Sequence, residues 1–210
     1  MAFRNRLTRR VLVTGIATAA TIGVTAGVAL AVAITFSITP GGKISAKAGT
    51  TTLTDTNTGS VLTCTSSTST GTLKSGHGVS GASLGSITKL GFSNCTGPLS
   101  LTFTVTNSGF PWNLSGTSYK TGVTTGAISG IKSKLSGPSC SATVGGTTAG
   151  STGTVAVSYT NSTGKLKVLT TGGNLHVWNV SGCAGLINSG DATTFSGSYT
   201  VTPKQKITSP

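Results

Sequence analysis

The segment Leu99-Ser100-Leu101-Thr102-Phe103-Thr104-Val105-Thr106 alternates apolar and hydroxyl residues at every step. A period of two is the side-chain period of a β-strand with one face buried and one in water. The rest of the chain is made of similar material. Ser and Thr form about a third of the 210 residues, well above ordinary usage, Gly adds 31, and Glu is absent. Thr fits a pleated sheet, Gly weakens helices, and the good formers of exposed helices are scarce. Apolar residues make up 36% and charged ones only 8%, which separates the chain from disordered sequences rich in charge.

Several further segments share the pattern. Ile34 to Thr39 alternates and stops at Pro40-Gly41-Gly42. Val61 to Cys64, Ile87 to Phe92, Thr154 to Tyr159, Lys165 to Thr170, Leu175 to Val180 and Thr194 to Thr202 also read as strands, with Asn-, Ser- and Gly-rich turns between them. Thr65 to Ala82 is read as loops around one short strand at Gly71–Lys74, and Gly172-Gly173 as a two-residue hairpin turn. These signals predict an all-β body of about ten to twelve strands, arranged as a two-sheet β-sandwich of immunoglobulin-like or jelly-roll-like type.

The first 33 residues differ in kind. Arg4, Arg6, Arg9 and Arg10 are the only arginines of the chain. An uncharged apolar run from Val11 to about Ala33 follows, ending in Ala29-Leu30-Ala31 and Ala31-Val32-Ala33. A positive start, an apolar stretch and an A-x-A site make a secretory signal. Thr8-Arg9-Arg10-Val11-Leu12 also partly matches a twin-arginine export signal. A retained anchor is the rival reading, because the run just reaches spanning length, although its Gly, Ala and Thr make it a weak span. The expected organisation is a signal helix over 1–33, a disulfide-stabilised β domain over 34–203 and a polar tail over 204–210. Either reading of the leader puts the body outside the cytoplasm, secreted or at the cell surface.

Cys64, Cys95, Cys140 and Cys183 all follow the leader. An even count in an exported chain reads as disulfides, and four cysteines allow three connectivities. The surroundings of the first pair (LTCTSS, GFSNCTG) echo those of the second (PSCSAT, NVSGCAG). The echo favours 64–95 and 140–183. Metal-finger spacing is absent, with no C-x-x-C and with His77 and His176 away from any cysteine at that spacing.

Catalysis has little to draw on. His77, His176, Asp55 and Asp191 are the whole supply of histidines and acids. His176 and Asp191 with some serine can be drawn as a triad, but no G-x-S-x-G elbow supports it, and paired carboxylates for glycoside hydrolysis or calcium are lacking. The expectation is a protein that is not an enzyme and carries no cofactor or metal. Net charge after the leader is +9, from eleven lysines against two aspartates. No arginine remains there for bidentate contacts, so nucleic acid is not expected as a partner. Lys132 with Lys134, and Lys165 with Lys167, lie at strand period and share a face. They guard strand edges or attract an anionic cell-wall polymer. Phe110, Trp112 and Tyr119 are the candidate aromatic contacts for a polysaccharide or a second copy of the chain, Phe110-Pro111-Trp112 in a loop, whereas Trp178 is expected to pack in the core. A membrane is met only through the leader, if it is uncleaved.

ITFSITPGG, followed by AGTTTLTDTNTGSVLTCTSS and GSITKLGFSNCTGPL, resembles a group of small exported actinobacterial proteins. The likeness runs over roughly Ile34 to Pro203. It implies an exported all-β protein with disulfides and carries no catalytic residues to transfer. The reading that follows is a non-enzymatic exported protein acting by binding or assembly at the cell envelope. The alternative is a secreted, toxin-like or binding effector that recognises a glycan or small ligand.

Overall fold

A computed structural model describes residues 34–210; the expected signal helix lies outside them. The described residues are all-β. Fifteen strands run in chain order as β1 (Thr35–Thr39), β2 (Gly42–Ala48), β3 (Thr51–Asp55), β4 (Val61–Leu73), β5 (Gly76–Ser80), β6 (Gly85–Thr96), β7 (Thr102–Ser108) and β8 (Trp112–Lys120). They continue as β9 (Val123–Ser136), β10 (Ser141–Gly145), β11 (Gly153–Thr160), β12 (Lys165–Val168), β13 (His176–Ser181), β14 (Thr193–Thr202) and β15 (Lys206–Thr208). No helix among the described residues is long and apolar enough to cross a membrane.

Twelve of these strands form one antiparallel sheet that closes on itself. Four long strands, β4, β6, β9 and β14, act as staves, and shorter strands fill the spaces at either end. At one end the hydrogen-bonded circuit runs β2–β4–β6–β8–β9–β11–β12–β14 and back to β2. At the other it runs β3–β4–β6–β7–β9–β10–β13. A bridge from His176 to Ala192, just before β14, and the β14–β3 pairing complete that second circuit. Facing walls therefore meet across the core as two sheets of a sandwich would, but backbone hydrogen bonds also join them along both flanks. Eight strands per circuit give a barrel interior about wide enough for side chains, or for one small ligand.

The three remaining strands, in the order β15–β1–β5, form a separate small sheet over the first end. Phe36, Ile38, Val79 and Ile207 from this cap are buried in the same apolar cluster as the barrel core. The cap explains two departures from expectation. The 204–210 segment is not a free polar tail: Gln205 and Ile207 are 2% and 4% exposed. Tyr159 holds Gln205 by accepting from its backbone N–H and donating to its carbonyl, and Asn161 makes the same double contact with Ile207.

The region expected as loops around a short strand is mostly the 13-residue β4 and the whole cap strand β5. The inward positions of β4 between Cys64 and Leu73 are Ser67, Ser69 and Gly71, which give no apolar periodicity. They are small because large groups press on them. Ser67 Oγ donates to the Tyr199 hydroxyl at 2.6 Å, and a Cβ at Gly71 would lie 2.3 Å from the Ser86 carbonyl oxygen. Gly172-Gly173 does not make a hairpin, since β12 pairs with β11 and β14 while β13 crosses to β10. Leu99, expected on the buried face of its strand, sits in the short 3-10 turn Pro98–Ser100 with φ 58° and is 83% exposed. The alternation holds from Thr102 onward, with Phe103 and Val105 turned inward and Thr102, Thr104 and Thr106 exposed.

Both disulfides follow the sequential pairing. Cys64–Cys95 joins directly opposed residues of β4 and β6, and Cys140–Cys183 ties the start of β10 to the end of β13. No cysteine is free, which fits an oxidising, extracytoplasmic compartment. The closed segments span 31 and 43 residues, so each bridge should contribute about 3–4 kcal/mol by restricting the unfolded chain. Cys140→Ala/Cys183→Ala should lower the unfolding free energy by that amount in a denaturant titration, with the β-sheet circular dichroism retained.

A candidate ligand cavity inside the barrel

The inward side chains of the barrel do not fill it. A central cavity of about 110 Å³ remains between the walls, lined largely by aliphatic residues with Phe92, Trp112, Phe195 and Tyr199. Phe92 and Phe195 meet edge to face at 5.8 Å and 81°. Two smaller cavities of about 40 Å³ continue it. One lies towards the cap and shares Ile44, Leu114, Leu166 and Val201 with it; the other lies towards the opposite end and shares Leu53, Leu62 and Leu135.

Most polar groups on the central lining are already satisfied by the wall. Asn107 donates to the Leu90 carbonyl and accepts from Ser133 Oγ at 2.6 Å. Ser69 Oγ donates to the Lys89 carbonyl. The cavity therefore offers a ligand mainly apolar contacts. An apolar cavity of this size is of the kind that stays dry and takes up a small hydrocarbon.

Trp112 is the first residue of β8 and, with Leu114, faces inward by strand alternation. It is 3% exposed, so it is a cavity wall and not a surface contact. Its Nε1–H donates to the Ser108 carbonyl at 2.9 Å, and Phe110, half-buried, stacks on it at 4.6 Å. Trp178 reverses the opposite expectation. It is only half-buried, donates to the Gly146 carbonyl and stacks with His176 at 6.4 Å. Tyr119 is half-buried near the far end of β8, away from the other two.

The two lysine pairs are exposed and each shares an outer face, but on different strands. Lys132 and Lys134 stand on β9 opposite β7, Lys165 and Lys167 on β12. Lys47, unmarked in the sequence, joins the second pair. Lys165 opposes Thr200, and Thr200 opposes Lys47, so one cross-strand row carries both charges. Lys204 lies beside it and donates to the Ser162 carbonyl.

His176 and Asp191 form no triad. His176 Nδ1 contacts the Asn174 carbonyl, while Asp191 accepts from the backbone and side chain of Asn188. His77 Nδ1 pairs with Ser37 Oγ on the cap. Among the described residues no three His, Cys, Asp or Glu side chains converge as a metal site.

The buried Tyr199 reports on the cavity wall. Desolvation pushes its hydroxyl up to about 12, partly offset by the Ser67 hydrogen bond. Stability from this group is complete below the ordinary tyrosine value near 10 and is lost as pH rises towards 12, by roughly 3 kcal/mol at 1.36 kcal/mol per pH unit. A spectrophotometric titration should show the last tyrosinate signal at about 12, coupled to unfolding, and Tyr199→Phe should remove that step.

No family model matches the chain, and neither a curated protein nor a solved structure matches it at a significant level.

Proposed function

We propose that the chain is an exported, non-enzymatic binding protein that encloses a small apolar ligand within its barrel. The observation that carries this reading is the central cavity. Natural cores pack to nearly crystalline density, and an 8-stranded barrel that leaves space in its apolar interior is built like a container. Two disulfides and a closed sheet keep the walls in place, so a ligand would meet a largely preformed site. The signal-like leader and the two disulfides support a role outside the cytoplasm. Benzene added to the purified protein should shift the ring NMR signals of Phe92 and Phe195 and the methyl signals of Val105, and raise the melting temperature. Val144→Phe, placing a ring in the cavity from a residue 4% exposed, should abolish those shifts while costing about 1–3 kcal/mol of stability. Absence of any shift in the wild-type protein would refute the reading.

A second reading concerns the outer wall. The Lys165–Thr200–Lys47 row, with Lys167, Lys43 and Lys204 exposed around it, contains no acid. It supports attraction to an anionic cell-wall polymer at the envelope, through charge and without bidentate recognition. Binding of the protein to purified teichoic acid should fall steeply between low and physiological salt. Lys47→Gln/Lys165→Gln/Lys167→Gln should weaken it at least tenfold and leave benzene uptake unchanged.

A further inference from the structure

Asp55 is one of only two acids in the chain, and it is 2% exposed. Its Oδ1 accepts from the backbone N–H groups of Asn57 and Thr58, at 2.8 and 3.0 Å, closing the turn after β3. That turn accounts for one oxygen. Oδ2 is buried with no hydrogen-bond partner. Thr193, directly opposite Asp55 in the β14–β3 register, is 6% exposed, and its Oγ1 is also buried without a partner. Both residues line the same small cavity at the end of the barrel away from the cap. No lysine lines that cavity, and every lysine of the chain is exposed.

An unpaired carboxylate oxygen and an unpaired hydroxyl in one apolar chamber cost several kcal/mol unless something completes them. A carboxylate only accepts hydrogen bonds, so the completing group must donate. The chamber shares Leu53, Leu62 and Leu135 with the central cavity, so an aliphatic chain fixed at Asp55 continues into apolar space. Val61 lines the chamber and is also 38% exposed, and Pro98 of the same lining precedes the exposed Leu99, marking an apolar way in.

We propose that Asp55 and Thr193 form the head-group site of the ligand cavity, and that the ligand is a small aliphatic molecule with a hydrogen-bond-donating head, best an alkylammonium. This inference rests on the cavity being a ligand site and specifies its chemistry. The ammonium donates to Asp55 Oδ2 and accepts nothing, Thr193 Oγ1 takes a second N–H, and the alkyl chain lies among Leu53, Leu62 and Leu135.

The test compares hexylamine, 1-hexanol and hexanoate by calorimetry on the disulfide-bonded protein, with benzene as the probe for the central cavity. Hexylamine should bind most tightly, 1-hexanol more weakly, and hexanoate at least tenfold more weakly than hexylamine. Asp55→Asn keeps the Oδ1 acceptor of the turn but turns the other arm into a donor, so it should erase the preference for hexylamine and spare benzene. Thr193→Val, which touches no turn contact, should weaken hexylamine and 1-hexanol about tenfold and carries the test if Asp55→Asn does not fold. Hexanoate binding as tightly as hexylamine, an unchanged ranking in Asp55→Asn, or undiminished hexylamine affinity in Thr193→Val overturns the head-group site even where benzene binds. Benzene failing while hexylamine binds in an Asp55-dependent way refutes the apolar central site and leaves the polar one in place.

Discussion

Closure of the sheet is the constraint on which the rest depends. β9 pairs along both edges, with β8 and β7 on one side and β11 and β10 on the other. A chain poor in large apolar side chains cannot drive folding through an extensive core alone. Ladder hydrogen bonds supply order at every strand, and closure leaves only short stretches of barrel edge, on β7 and β13, for another chain to join. Threonine on the outer face tolerates water while its β-branch suits the pleat. The same residues that make the sequence look featureless therefore serve a barrel well.

The cavity is a consequence of this economy. Where β4 turns Ser67, Ser69 and Gly71 inward, Tyr199 of β14, one strand beyond β2 in the same cross-strand row as Ser67, is accommodated and the strands approach closely. The central cavity lies between walls that carry mostly Leu, Ile and Val, with Ser69 and Tyr199 also on its lining. The cap closes one end with Phe36, Ile38 and Ile207, and its last strand is pinned by Tyr159 and Asn161. The other end is covered by turns held by the Cys140–Cys183 bridge and by the bond from Thr58 Oγ1 to the Leu186 carbonyl. One end of the body is thus a packed lid of strands, and the other is built of loops with an acid beneath them.

Strands were readable wherever apolar residues marked the inward face, as in β11 with its strict alternation of buried and half-buried positions. They were not readable where the inward face is Ser or Gly. β4 was hidden for that reason, and β9, the longest strand, carries Gly126 and Gly130 within it. The disulfide pairing was legible from local echoes, because each bridge links residues that the ladders bring close. The site was not legible. Trp112 and Trp178 exchange their expected places, since one residue of register decides which face a strand residue occupies. Asp55 looks like an ordinary turn residue until the β14–β3 register sets Thr193 beside it.

By itself the sequence determined the class of body: strands from its alternating Thr and apolar residues, an oxidised chain from four cysteines after an export-like leader, and a basic exterior from eleven lysines against two acids. These are properties of composition and short-range pattern, and they need no knowledge of partners across the fold. Only the tertiary structure decided that the sheet closes, that its interior keeps a cavity, and that one of two acids lies inside. Each of those depends on pairing between segments dozens of residues apart, and a two-residue repeat specifies which face is inward without specifying what it will face.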